Sequence, residues 1–313
     1  MAELDLSVRI RDDLVLATPL LAASGTFGFG FEMEPLGGHA GYGALISKGT
    51  SVTPRVGNEP PRIAEVPAGM LNAIGLQNPG VEVVAGTYAP RWGEWEVPVI
   101  VNVVGDSVED YVAVVERLES VPNVAGIELN ISCPNVGARG LMFGVDAKLA
   151  HEVTAAVRAA THRPLIVKLT PNVTDLVSIA RAIVDAGADA LSAVNTYVGM
   201  TLDLTSGRPV LANVTGGLSG PAIRPLALHA VYTVSRAVSV PVIASGGAMS
   251  GEDAVEFLLA GAVAVQVGTL NFLRPDAGRF VLEGIEAHMA RMGVRSASAI
   301  RPAPGAAAEE AAS

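Results

Sequence analysis

Short apolar runs alternate along the chain with longer segments whose apolar residues recur at helical spacing. Leu20–Ala23, Ala44–Ser47, Val99–Val103, Ala125–Leu129, Leu165–Leu169, Ala190–Val194, Val242–Ala244 and Val263–Val267 are rich in Val, Ile, Leu and Ala and predict eight buried strands. Val108–Glu119, Ala147–Ala160, Asp175–Ala186, Ile223–Val238 and Glu252–Ala260 have the helical period. Capping-type residues stand at their starts: Asp106 or Ser107, Asp146, Thr174 and Ser250. Pro98, Pro164 and Pro241 each lie just before a strand, where a missing N–H costs little. Between the first two strands only a short helix fits, near residues 31–37. Such alternation predicts a parallel sheet, and eight units predict closure into an α/β (β/α)8 TIM barrel, with an open doubly wound sheet as the alternative. The opening segment, Val8–Ile10 and Leu14–Leu16 around Asp12-Asp13, reads as a hairpin capping one end of the barrel. No interdomain linker is visible, so residues 1–300 are expected to form a single domain. The alanine-rich stretch 301–313 is expected to be a disordered tail.

Composition narrows the functions. A net charge of −10 argues against a nucleic-acid partner. Hydropathy raises the question of a membrane, but the two uncharged runs, Leu14 to Phe31 and Phe257 to Leu273, are broken by Gly, Pro and polar residues. Neither is a clean span of about 20 apolar residues. The first residues carry charges of both signs and no signal-peptide pattern. A single cysteine allows no intramolecular disulfide and no self-contained iron–sulfur cluster, and suits a reducing, cytoplasmic setting. No metal site is expected.

In a barrel of this type chemistry gathers at the carboxyl ends of the strands. Those positions hold Lys48, Asn102, Asn130, Lys168, Asn195 with Thr196, Ser245-Gly246-Gly247 and Gly268-Thr269. The chain has three lysines against 18 arginines, and two of the three, Lys48 and Lys168, fall on apolar strands. A lysine there is expensive without a partner, and its compact charge suits a carboxylate or an electron-rich ring. The glycines after strands seven and eight let backbone amides approach an anion, although loop glycines are ordinary on their own. Asn72-Ala73-Ile74-Gly75-Leu76-Gln77-Asn78-Pro79-Gly80 supplies carboxamides that can read imide and urea edges; standing alone it would read as an ordinary asparagine-rich turn.

The lone thiol, Cys133, lies in Asn130-Ile131-Ser132-Cys133-Pro134-Asn135. Pro134 ends the strand before it, and the glycine-bearing stretch Val136 to Gly144 follows. A lone cysteine is more often an inert core residue. The strand end, the flanking asparagines and the glycines favour an acid–base role instead.

Together these segments resemble the FMN-dependent dihydroorotate dehydrogenases, from about Leu4 to Met292. Asn130 to Asn135 is similar to the family's catalytic loop and Asn72 to Asn78 to its substrate loop. Asn195-Thr196, Gly199-Met200, Gly216 to Pro221 and Ser245-Gly246-Gly247 also fit. A cysteine as base points to class 1. Gly75 to Gly80 and Gly217 to Pro221 resemble the NAD-linked 1B catalytic subunit rather than the fumarate-linked 1A form.

The resemblance implies that Cys133 takes a proton from dihydroorotate while a hydride passes to FMN, giving orotate for pyrimidine biosynthesis. It implies FMN contacts from Ser24, Lys48, Gly49, Asn102, Asn130, Lys168, Val194, Gly220, Gly246, Gly247, Gly268 and Thr269. Substrate contacts would come from Lys48, Asn72, Ala73, Ile74, Gly75, Leu76, Asn130, Asn195 and Thr196. It further implies a homodimer within a heterotetramer, with an electron-transfer subunit that carries FAD and [2Fe–2S]. No strand–GxGxxG–helix unit for a dinucleotide is present in this chain. The alternatives are a fumarate-linked 1A enzyme, a related dihydropyrimidine oxidoreductase or a tRNA dihydrouridine synthase on the same barrel, and a flavin-free phosphate-binding isomerase.

Overall fold

Each barrel strand buries both of its faces, which is why the sequence shows continuous apolar runs rather than alternation. The computed structural model describes residues 4–131 and 143–300. Eight parallel strands close a barrel in chain order: Leu20–Ala22, Ala44–Ile46, Val99–Val103, Val124–Asn130, Leu165–Lys168, Ala190–Ala193, Val242–Ser245 and Ala264–Val267. The eighth pairs with the first through Val265↔Leu20 and Val267↔Ala22. All eight sequence-predicted strands are present, with ends shifted by a residue or so.

The two faces of each strand do different work. Outward residues such as Val101, Leu129, Val167, Leu191 and Val265 join Val114, Val153, Val157 and Ile183 of the surrounding helices in one large apolar cluster. Inward residues Leu21, Ile46, Ile100, Ile166, Ala190, Ile243 and Ala264 form a second, smaller cluster with Val8, Ile10, Leu14 and Leu16. The latter four lie on an antiparallel hairpin, Val8–Arg11 with Leu14–Leu16. It caps the amino end of the barrel, as the sequence predicts.

The helices begin where their caps dictate. Ser107 and Asp110 form a reciprocal capping box before Val108–Glu119. Asp146 accepts from Leu149 N–H before Ala147–Ala160, and Ser250 accepts from Asp253 N–H before Gly251–Leu259. The helix Leu176–Asp185 is capped by Asp175, not Thr174, because the Asp175 carboxylate accepts from Ser178 N–H at 2.9 Å. Between the first two strands there is only the 3-10 turn Glu34–Leu36. No helix among the described residues is long and apolar enough to cross a membrane.

Three features go beyond the sequence reading. A helical stretch from Val81–Val83 through Val84–Tyr88 to Ala89–Trp92 precedes the third barrel strand. A helix at Ala277–Met292 closes the ring, and a four-stranded antiparallel sheet stands outside the barrel. The helix packs close to its neighbour through glycines: a Cβ on Gly284 would lie 2.8 Å from Gly251 Cα. Gly284→Ala should therefore lower stability by about 1–3 kcal/mol, read by urea unfolding, although alanine is the better helix former. An unchanged midpoint would show that the two helices are free to separate.

Candidate functional site

Two residues beyond the apolar lower layer, the inward positions turn polar. Ile100 is followed by Asn102, Gly126 by Glu128 and Asn130, Ile166 by Lys168, Ala190 by Ser192, and Ala264 by Gln266. The period of two places all of them inside the barrel, one storey nearer its carboxyl end. Their hydrogen bonds cross the barrel. Glu128 Oε1 accepts from Asn102 Nδ2 at 2.7 Å, and Glu128 Oε2 accepts from Gln266 Nε2 at 2.6 Å and Ser192 Oγ at 3.1 Å. Lys168 Nζ donates to Gln266 Oε1 at 3.3 Å and lies 3.8 Å from Glu128 Oε1. Asn130 Nδ2 sits 3.5 Å from Asn102 Oδ1, at the outer edge of hydrogen bonding. Thus Asn102, Asn130 and Lys168, predicted separately from three strands, meet in one buried layer.

Glu128, Ser192 and Gln266 were not among the sequence-predicted site residues. A signal was there: each is a polar residue inside an otherwise apolar strand, the same signal that picks out Lys168. Buried polar groups need partners, so several such residues on neighbouring strands imply a shared network.

Lys48 follows the second strand and is half-buried, its N–H donating to Gly28 O at 2.8 Å. Burial, and then the nearby Arg62, hold the Lys48 amine below its ordinary range, with Glu32 opposing. Ser24 Oγ donates to Ser47 O at 2.7 Å, joining the ends of the first two strands. A Cβ at Gly49 would lie 3.3 Å from Asn102 Oδ1, so the chain passes close against the polar layer there.

The four-stranded sheet assembles the other motifs. Its strands run in the order Tyr197–Gly199, Gly216–Ser219, Gly69–Asn72 and Ile63–Val66. Asn72 pairs with Gly217, and its Nδ2 lies 3.3 Å from Gly217 O. Tyr197, directly after Asn195-Thr196, pairs with Leu218. The Asn72 loop, Asn195-Thr196 and the Gly216–Pro221 segment are thereby brought side by side. Asn58 braces the loop by donating from its backbone N to Ile74 O at 3.0 Å and from Nδ2 to Ala73 O at 3.0 Å. The turn passes through left-handed backbone at Gly75 and Leu76. Asn195 Oδ1 accepts from Thr196 N–H at 2.8 Å, and Thr196 O from Asn172 Nδ2 at 3.0 Å. The sequence reading passed over Asn172, which also accepts from Val198 N–H at 2.9 Å.

The glycine-rich strand ends converge as well. Val194 N–H donates to Ser245 O at 2.8 Å. Gly246 and Gly247 have φ of 127° and 85°, and a Cβ on Gly247 would lie 2.8 Å from the backbone N of Arg224. Only glycine fits between the seventh strand and the start of the helix Arg224–Ala237. Thr269 Oγ1, just after Gly268, donates to Ser219 Oγ at 2.9 Å, next to Gly220. Such a gathering of hydroxyls and side-chain-free backbone suits an oxyanion such as a phosphate. Cys133 lies outside the described residues.

Against known proteins, the dihydroorotate dehydrogenase family model matches residues 6–289. The chain is 53% identical over 294 residues to the dihydroorotate dehydrogenase B (NAD(+)) catalytic subunit of Geotalea daltonii, covering 94% of this chain and 96% of the relative. It is 52% identical over 294 residues to the subunit of the same description from Geobacter sulfurreducens, with the same coverage. The crystal structure of an Eimeria tenella dihydroorotate dehydrogenase in complex with ferulenol aligns with a TM-score of 0.78 at 23% identity, covering 95% of this chain and 87% of that one; it shows the shared barrel. With a family match across nearly the whole barrel and relatives more than half identical, the chain belongs to the dihydroorotate dehydrogenase family.

Proposed function

We propose that this chain is the catalytic subunit of an NAD-linked dihydroorotate dehydrogenase, oxidising dihydroorotate to orotate on bound FMN for pyrimidine biosynthesis. The observation that carries the reading is the polar layer in the barrel mouth. Lys168 is only 5% exposed, yet its single hydrogen bond and one ion pair leave N–H capacity unspent. A buried donor in that state calls for an acceptor, and the pyrimidine edge of a flavin ring offers several. The oxyanion cradle at Gly220, Gly246, Gly247, Gly268 and Thr269 suits the ribityl phosphate. The residues present therefore fit FMN.

Lys168, Asn102, Asn130 and Val194 would hold the ring, with Ser24, Lys48 and Gly49 along its rim. When bound, FMN supplies the hydride-accepting centre. The chain supplies position and charge. Asn72, Asn130, Asn195 and Thr196, with Ala73 to Leu76, would clamp the dihydropyrimidine, each carboxamide pairing one donor and one acceptor with the ring. Lys48 would meet the substrate carboxylate. Cys133 would hold the proton taken from C5. Lys168 would favour the negative charge that reduction brings to the flavin.

Specificity tests this reading. The purified chain should be yellow and release FMN on denaturation. It should oxidise dihydroorotate with an artificial acceptor but leave dihydrouracil untouched. Preference for the carboxylate-free substrate would favour a related dihydropyrimidine oxidoreductase, and turnover with fumarate would favour the 1A form.

Lys48 gives a second expectation. Its charged form is needed to hold a carboxylate, and that form is lost as pH rises through its folded pKa. Burial lowers that pKa from 10.5, so the loss begins at less alkaline pH than for a free lysine. Orotate affinity should fall as pH rises through that lowered pKa, before the range in which a free lysine titrates, and Lys48→Met should bind weakly with a flattened profile. An equally steep fall in that variant would remove Lys48 from carboxylate binding.

A further inference from the structure

Among the described residues, Glu128 and Lys168 form the sole ion pair in which both side chains are less than a tenth exposed, at 0% and 7%. Glu128 sits on the fourth strand, and its partners come from four others: Asn102 on the third, Lys168 on the fifth, Ser192 on the sixth and Gln266 on the eighth. Both amide nitrogens and the hydroxyl act as donors, so both carboxylate oxygens act as acceptors. Gln266 has a double role. Its Nε2 donates to Glu128 Oε2, and this turns its Oε1 towards Lys168 Nζ. Glu128 therefore touches Lys168 twice, directly as a charge and indirectly by fixing the amide that accepts from it. It also holds Asn102, whose Oδ1 faces Asn130.

We propose that Glu128 is a positioning residue and the buried counter-charge of Lys168, setting how strongly the bound flavin favours its reduced form. This inference rests on the flavin reading above. A flavin gains negative charge when reduced, and Lys168 favours that charge. A carboxylate 3.8 Å from the amine opposes it. Inside the barrel, with little water to screen it, that opposition is far stronger than at a surface. A buried anion also carries a large desolvation cost unless it is paired, so its presence beneath the site calls for a role beyond packing.

The test equilibrates the FMN-loaded chain with a reference redox dye and reads the ratio of reduced to oxidised flavin. Glu128→Gln should move that ratio about tenfold towards reduced flavin. Glu128→Asp, which keeps the charge, should return most of the way to the wild-type ratio, and Lys168→Met should move it the opposite way. A Glu128→Gln ratio that is unmoved, or moved towards oxidised flavin, overturns the proposal, because a purely structural carboxylate would disturb folding without this shift. If Glu128→Gln does not fold, Glu128→Gln combined with Lys168→Met should, since the orphaned charge goes with its partner. Failure of the double variant as well, with Lys168→Met alone folding, also overturns it. A wild-type chain that holds no flavin would sink the functional reading instead, so the two failures are distinguishable.

Discussion

Cys133→Ser, loaded with FMN and mixed without oxygen with dihydroorotate, is expected to bleach its flavin about 10²–10⁴-fold more slowly than the unaltered chain, the span a positioned acid–base group contributes. A thiol ordinarily titrates near pH 8.5, whereas a serine hydroxyl holds its proton throughout the working range. The substitution exchanges one chalcogen for another, so FMN content should be unchanged. The unaltered chain should show a rate that rises with pH towards the thiol pKa, because the deprotonated form takes the proton. The serine variant should lack that limb. Cys133 follows Asn130 by three residues in sequence, and Asn130 belongs to the buried polar layer. Bleaching at the rate of the unaltered chain would take Cys133 out of the chemistry.

The second large effect concerns where the electrons go. Purified alone, the chain is expected to pass electrons from dihydroorotate to artificial acceptors and to give no measurable NADH. Its single cysteine cannot by itself hold an iron–sulfur cluster, and no dinucleotide-binding glycine motif follows a strand. The NAD-linked reading therefore needs a second polypeptide, for which we propose an FAD- and [2Fe–2S]-bearing electron-transfer subunit bound to a dimer of this chain. Adding that subunit should switch NADH formation on, and both chains should co-purify from the native source. Steady NAD reduction by the lone chain would refute the two-subunit scheme.

The barrel was legible because its physics is local. Continuous apolar runs such as Leu20–Ala22 report burial on both faces, and capping residues such as Ser107, Asp146 and Ser250 fix the helix starts. The antiparallel sheet was not legible. Gly69–Asn72 and Gly216–Ser219 are rich in glycine and short of β-branched residues, so they read as turns until Asn72 is seen paired with Gly217. The Ala277–Met292 helix hides for a related reason: Gly278 and Gly284 interrupt its apolar stripe where it packs against neighbouring backbone. At the site, Lys48 and Lys168 stood out because lysine is rare in this chain and rarer still on apolar strands. Glu128, Ser192 and Gln266 escaped notice because they lie on three different strands, and only barrel closure reveals that they meet. The register of closure, with Val265 against Leu20, is a long-range fact that no local pattern carries.

The most direct test of dihydroorotate oxidation on this barrel is an anaerobic titration of the purified chain with dihydroorotate, followed by flavin absorbance. The purified protein should be yellow, and its flavin should bleach as dihydroorotate is added, with about one orotate formed for each flavin reduced, as a two-electron transfer between them requires. A chain that binds FMN and bleaches with dithionite, yet stays oxidised under excess dihydroorotate, would contradict it.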